Sequence, residues 1–148
     1  MPSETDLIKL YSDKILKMAA DPIYRDRLPT HDASATKRST LCGSAVTVDI
    51  NVESGIITGY GQDVRACALG QASSTIMGKA IIGCSLSEVQ RACKELSEML
   101  SNKGPTPTKP FDDLYILQPA SEYKNRHASI LLAFEATLDA FNQIEGQT

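Results

Sequence analysis

The chain has 148 residues, 42% of them hydrophobic and 22% charged, with a net charge of −3. That suits one compact domain spanning residues 1–148 and leaves too little chain for two. No run of Lys and Arg exceeds two adjacent residues, so a nucleic-acid groove, which needs a concentrated basic face, is not expected.

In chain order, the first segment places Leu7, Ile8, Tyr11, Ile15 and Met18 at helical spacing. Asp21-Pro22 fits an N-cap followed by proline at a first helical position, so a second short helical turn is expected there. From Pro29 to Lys37 the chain is polar and irregular and reads as a loop. Val46, Val48, Ile50 and Val52 then alternate with Thr47, Asp49 and Asn51, the pattern of a strand with one buried face. Glu53-Ser54-Gly55 makes a turn, and Ile56 to Val64 pairs back as the second strand of a hairpin. Gly59 and Gly61 weaken that strand or mark a bulge.

After Asp63 the period changes. Leu69, Ala72, Ile76 and Ala80 share one face of a helix that begins close to Cys67, and its many small residues allow close approach to another element. Ser85-x-x-Glu88 is a capping box that opens a further helix with Leu86, Val89, Cys93, Leu96 and Leu100 as its buried stripe. Gly104 to Pro110 breaks the pattern as an exposed loop. Phe111 to Leu117 reads as a short helix. Ser121 can cap a last helix with Tyr123, His127, Ile130, Leu131, Phe134, Leu138 and Phe141 on one stripe. The order implies an α+β fold: a small hairpin-based antiparallel sheet of about three strands with helices packed on one face.

The longest apolar stretch, around Ile130–Phe134, is far short of a membrane span, and the acidic start Met1–Asp6 is unlike a signal peptide. The expected compartment is the cytosol. Thiols are kept reduced there, so Cys42, Cys67, Cys84 and Cys93 are core residues, ligands or nucleophiles rather than disulfides. Cys42 precedes the first strand beside Gly43, which permits a tight turn with the thiol exposed. Cys67 sits where a helix begins, and free N–H groups with the helix dipole favour a thiolate there. Both remain open to the alternative of small buried apolar residues. Cys93, on an apolar stripe, reads as a core thiol, and Cys84 is ambiguous. His127 on the apolar face of its helix is by itself more typical of hydrogen-bonded core than of a ligand, and His31 reads as solvated. No C-x-x-C or H-E-x-x-H is present, so local spacing does not make a metal site.

Taken together and in order, the segments resemble the IscU/NifU family of iron–sulfur cluster assembly scaffolds. Leu7–Leu28 (LIKLYSDKILKMAADPIYRDRL) resembles its opening helix running into an Asn-Pro or Asp-Pro turn. Leu41-Cys42-Gly43-Ser44 is similar to the first ligand motif, typically Cys-Gly-Asp, and Tyr60–Ala80 (YGQDVRACALGQASSTIMGKA) to the second. Arg126-His127-Ala128-Ser129-Ile130-Leu131 resembles the family's His-Cys-Ser-Ile-Leu helix.

The resemblance covers Leu7 to Phe141 and implies an IscU/NifU-like fold and a scaffold or carrier rather than an enzyme. It puts Cys42, Cys67 and His127 on cluster- or metal-site positions. The implied cargo is iron or a [2Fe–2S] cluster, with zinc as the other candidate. The implied partners are a cysteine desulfurase and recipient apoproteins. Two positions depart: Ser44 stands where the family has Asp, and Ala128 where it has the third cysteine. The chaperone-binding Pro-Pro-Val-Lys segment is also missing before His127, where Ser121-Glu-Tyr-Lys-Asn-Arg stands.

A [2Fe–2S] cluster takes four protein ligands, so one subunit falls short and a homodimer could complete the set with Cys42 and Cys67 from each copy. Two cysteines, His127 and an external ligand would instead suit Zn²⁺ or Fe²⁺. Cys84 is the less clearly buried of the remaining cysteines and so the candidate for a substitute ligand. Two other readings stand beside the scaffold: a desulfurase-binding regulator that has lost cluster chemistry, and a zinc-dependent sulfur acceptor.

Overall fold

The computed structural model describes residues 12–21, 26–40 and 43–145. In chain order they form α1 (Asp13–Ala20), β1 (Ala33–Arg38), β2 (Ala45–Glu53), β3 (Ile56–Arg65), α2 (Ala68–Ala80), α3 (Leu86–Asn102), a 3-10 helix (Asp112–Glu122) and α4 (Lys124–Glu145). Of the opening helix, Asp13–Ala20 is seen; Leu7–Tyr11 and the expected turn at Pro22 lie outside the described residues. Ser12 caps α1 by accepting the Ile15 N–H, and Ile15 and Ala19 are its buried residues.

The sheet is antiparallel in the order β1-β2-β3. β2 and β3 are the expected hairpin, and their register shifts between Asn51 and Val52, where Asn51 faces Gly59 and Val52 faces Ile57. This is the bulge that the glycines signal. The expected loop at Pro29–Lys37 is corrected: Ala33–Arg38 is an edge strand pairing with Ala45–Ile50. Its residues facing the helices are Ala33, which is buried, and the half-buried Ala35, too small to print an apolar alternation in the sequence. Ladder hydrogen bonds and the Thr36–Thr47 hydroxyl pair at 2.7 Å hold it instead.

The helices cover one face of the sheet, as expected of the α+β arrangement. Val46, Val48 and Ile50 are fully buried beneath them, with α4 packed on β1 and β2 and α2 against β3. The small residues of α2 bring it close to α4, where Ser73 Oγ donates to the Ile130 carbonyl at 2.7 Å. α3 opens with the complete Ser85–Glu88 capping box. Ser121 is not the N-cap expected of it, because it lies inside the 3-10 helix. The backbone tightens into the 3-10 helix, which runs on to Glu122, so α4 starts at Lys124. Phe111 at the start of this segment meets Phe134 of α4 edge to face, with ring centroids 5.7 Å apart.

The alternation along β2 breaks at one residue. Asp49 points away from the helices yet is fully buried, because the segment before β1 lies over it. Its carboxylate accepts from Arg27 through Nε and through Nη2 (2.9 Å), and from the Leu28 N–H at 3.1 Å. Burial by itself would raise this carboxyl, but the bonds from Arg27, Ser34 and Leu28 hold it below its ordinary value.

Candidate functional site

The sheet end formed by the last residues of β1 and β3 and the first of β2 leads directly into both cysteine segments. After β1 the chain reverses: the Ser39 N–H donates to the Ser44 carbonyl at 2.8 Å, and the Gly43 N–H to the Ser39 carbonyl at 3.1 Å. Gly43 holds φ +70, so a residue without Cβ is needed to close this tight reversal. The reversal brackets residues 41 and 42, and Cys42 itself lies outside the described residues.

Cys67 follows β3 by two residues and is the N-cap of α2. Its backbone is extended while its carbonyl takes the first helical bond, from the Gln71 N–H at 2.9 Å. Its side chain makes no capping bond, so the sulfur is not spent on the helix N–H groups, and the thiol is half-buried. The first turn holds no acidic residue, which leaves the positive end of the helix dipole facing the cysteine.

The sulfur faces α4. Cys67 Sγ lies 3.7 Å from Ser129 Oγ, and Ser129 Oγ lies 3.2 Å from Ser44 Oγ. Both serines are buried, at 1% and 4% exposure, so this chain of three groups is shielded from solvent except at the cysteine. Gly70 makes the approach possible: a Cβ there would stand 2.5 Å from Ser129 Oγ and 2.7 Å from Ala66 Cβ. The Ser129 hydroxyl is a site group that the residue pattern alone did not single out. Its signal was available in Gly70, one turn after Cys67, as a small residue opposite a serine.

His127 sits one turn into α4 and is half-buried. Its Nε2 lies 3.0 Å from the Ala120 carbonyl at the end of the 3-10 helix. A carbonyl only accepts, so Nε2 is the donor in this bond, and Nδ1 is the ring nitrogen it does not engage. Ala128 is half-buried and offers a methyl where a ligand is expected. Among the described residues, no three His, Cys, Asp or Glu side chains gather as a metal-holding group.

Of the remaining cysteines, Cys93 packs against the core as expected, while the reading of Cys84 as the less clearly buried one is corrected. Cys84 is the buried one, 3% exposed, and its thiol donates to the Ala80 carbonyl at 3.3 Å. Its own carbonyl accepts from the Ile57 N–H, which pins it beside the start of β3. The whole of α2 separates it from Cys67, about 20 Å at 1.5 Å per residue, so it is no substitute ligand. Burial, then Glu88, pushes the Cys84 thiol up to about 11. Cys93 is half-buried against the core and pushed up to about 11 by burial and Glu135. Among the described residues, no helix is long and apolar enough to cross a membrane.

Comparison with known proteins agrees with this architecture. Residues 10–129 match the NifU-like N-terminal domain family. The chain is 23% identical over 135 residues to the iron–sulfur cluster assembly scaffold protein IscU of Thermotoga maritima, covering 91% of this chain and 94% of that one. It superposes with a TM-score of 0.93 on the crystal structure of a nitrogen-fixing NifU-like protein (N-terminal) from Brucella abortus, at 39% identity over 97% of this chain and 99% of that one. A protein described as a scaffold for the SUF system from Fervidobacterium islandicum AW-1 shares the fold, with a TM-score of 0.79 at 19% identity over 88% of this chain and 96% of that one. The chain belongs to the NifU-like N-terminal domain family, of the IscU/NifU type.

Proposed function

We propose that this chain carries iron or a [2Fe–2S] cluster as cargo, takes its sulfur from a cysteine desulfurase and passes the cargo to recipient apoproteins. Cys42 and Cys67 are the thiolate ligands, and His127 is the further ligand through Nδ1. The observation that carries this reading is Cys67: a half-buried sulfur at a helix N-terminus, free of any capping bond. A thiolate is the ligand form, and the helix end favours negative charge at that spot.

The donor set fits in part. Ser44 and Ser129 bring hydroxyls, which hold iron poorly because the alkoxide is out of reach near neutral pH. Two copies supplying Cys42 and Cys67 each would complete four thiolates around one bridging cluster. On this reading the chain works in the cytosol as a carrier rather than a catalyst.

The test is anaerobic reconstitution with iron and sulfide, followed by light scattering. A visible sulfur-to-iron charge-transfer band that is lost in Cys42→Ala and in Cys67→Ala supports the proposal. Failure of the unaltered protein to hold iron or cluster overturns it.

One observation favours a second reading, a desulfurase-binding regulator without cluster chemistry: Ala128 offers a methyl at a position where a ligand is expected. It predicts desulfurase binding by metal-free protein that is indifferent to Cys42→Ala.

A further inference from the structure

The hydroxyl chain Ser44–Ser129–Cys67 has a direction, and residue 44 decides it. A serine hydroxyl has one proton to give. Among the described residues, Ser129 Oγ has two side-chain partners: Ser44 Oγ at 3.2 Å and Cys67 Sγ at 3.7 Å. A deprotonated or ligating sulfur can only accept. If Ser129 gives its proton to that sulfur, its oxygen is left to accept, and the neighbour at position 44 must be able to donate. Ser44 can. An ionised Asp, the residue the family's motif carries at this position, cannot: it would take the Ser129 proton and leave the sulfur without a donor.

We infer that Ser129 is a positioning residue that donates a hydrogen bond to the Cys67 sulfur, and that serine at position 44 permits this where an ionised Asp would divert the Ser129 proton. The loss of a carboxylate at position 44 is then a change of hydrogen-bond polarity as well as of ligand number. Three features of the structure support a built relay. Both serines are buried, so water does not compete for the proton. Ser129 is carried on the regular backbone of α4, and Cys67 on the first residue before α2, so neither position depends on a loop. Gly70 leaves the space that lets the two helices bring oxygen and sulfur together. The role of Cys67 as a sulfur ligand rests on the proposed function; the hydrogen bond to its thiolate does not.

The experiment therefore has a metal-free arm and a loaded arm. In metal-free protein, the limiting rate of Cys67 alkylation by iodoacetamide is measured at high pH, where it no longer changes with pH, and assigned to Cys67 by peptide mapping. A thiolate that accepts a hydrogen bond is a weaker nucleophile. Ser129→Ala removes the donor and raises the limiting rate several-fold. Ser44→Asp turns Ser129 around and raises it likewise. Ser44→Ala leaves Ser129 free to donate and keeps the rate near that of the unaltered protein. In the loaded arm, Ser129→Ala lowers the cluster's reduction potential, since hydrogen bonds to ligating sulfur favour the reduced state.

Far-UV circular dichroism and the urea midpoint identify a variant that has not folded. Should Ser44→Asp be one, the contrast between Ser129→Ala and Ser44→Ala decides the matter. Equal rates for Ser129→Ala and the unaltered protein overturn the inference, as does a folded Ser44→Asp that behaves like Ser44→Ala. If no cluster forms in any variant, the proposed function falls, and the alkylation rates still decide the relay.

Discussion

The carboxylate of Asp49 is fully buried, yet its partner Arg27 is half in water, with 49% of the side chain exposed. Nη2 reaches Oδ1 at 2.9 Å while Nε bonds the other oxygen. Losing the two partners therefore has unequal consequences. Arg27→Ala strands a buried charge with the Leu28 N–H and Ser34 as its remaining donors, whereas Asp49→Ala returns Arg27 to solvent. Arg27→Ala should cost about 2–3 kcal/mol in urea unfolding, toward the lower end because water already screens the guanidinium.

The pH dependence of that pair follows from the direction of the shift. Asp49 is held below its ordinary value in the folded state, so its contribution is present above roughly pH 4 and is lost as the pH falls through the folded value. In Arg27→Ala the burial that raises the carboxyl is no longer outweighed. Acidification toward pH 4 should then steady the variant relative to pH 7, while the unaltered protein weakens through Asp49 only below about pH 4. Urea midpoints across pH 3–7 check this.

At alkaline pH the buried thiols act in the opposite sense. Cys84 and Cys93 are pushed up to about 11, by burial first and by Glu88 and Glu135 second. An unfolded thiol ionises near pH 8.5, so stability should decline from about pH 9 towards 11 as the unfolded chain loses protons that the folded chain keeps. At pH 8 both cysteines should resist iodoacetamide in the native protein and react promptly in urea. Peptide mapping after timed alkylation gives the measurement.

Cysteine variants should separate by place in the fold. Cys67→Ala should abolish the charge-transfer band of reconstituted protein while the urea midpoint stays close to that of the parent. Cys84→Ala should keep the band and lose about 1 kcal/mol of stability, because a buried sulfur leaves a small cavity near the start of β3. Absorbance and urea titration on the same preparations check both.

Gly70→Ala should destabilise by about 1–3 kcal/mol. Alanine favours the helix by about 1 kcal/mol, but the added methyl meets Ser129 Oγ at 2.5 Å and Ala66 Cβ at 2.7 Å. Crowding between two packed helices wins over propensity. Thermal unfolding measures the cost, and Gly70→Ala with Ser129→Ala should recover part of it because one of the two contacts is removed.

Much of the architecture is legible in residue order. The β2–β3 hairpin prints its period in Val46, Val48 and Ile50, and α3 its start in Ser85 and Glu88, because these signals are local and each residue's burial repeats with the element. β1 was not legible. An edge strand of Ala, Ser and Thr has no apolar stripe, and only the partner strand makes it a strand. Asp49 was misread for the same reason: its alternation says exposed, and a segment some twenty residues upstream covers it. Cys84 shows the limit from the other side. It reads as a loop residue beside a helix start, and its burial comes from the Ile57 strand on which that turn rests.

The sequence by itself determined the α+β class, the order of its elements, the family resemblance and the fact that residue 128 offers no thiol. Only the tertiary structure decided what surrounds Cys67: that Ser129 stands at its sulfur, that Ser44 stands behind Ser129, and that the His127 ring is bound to the Ala120 carbonyl. The reason is separation along the chain. Ser44 and Ser129 lie 85 residues apart, and Cys67 and Ser129 lie 62 apart. Such contacts are set by how helices pack on a sheet, and at the crossing of α2 and α4 that packing turns on the missing side chain of Gly70.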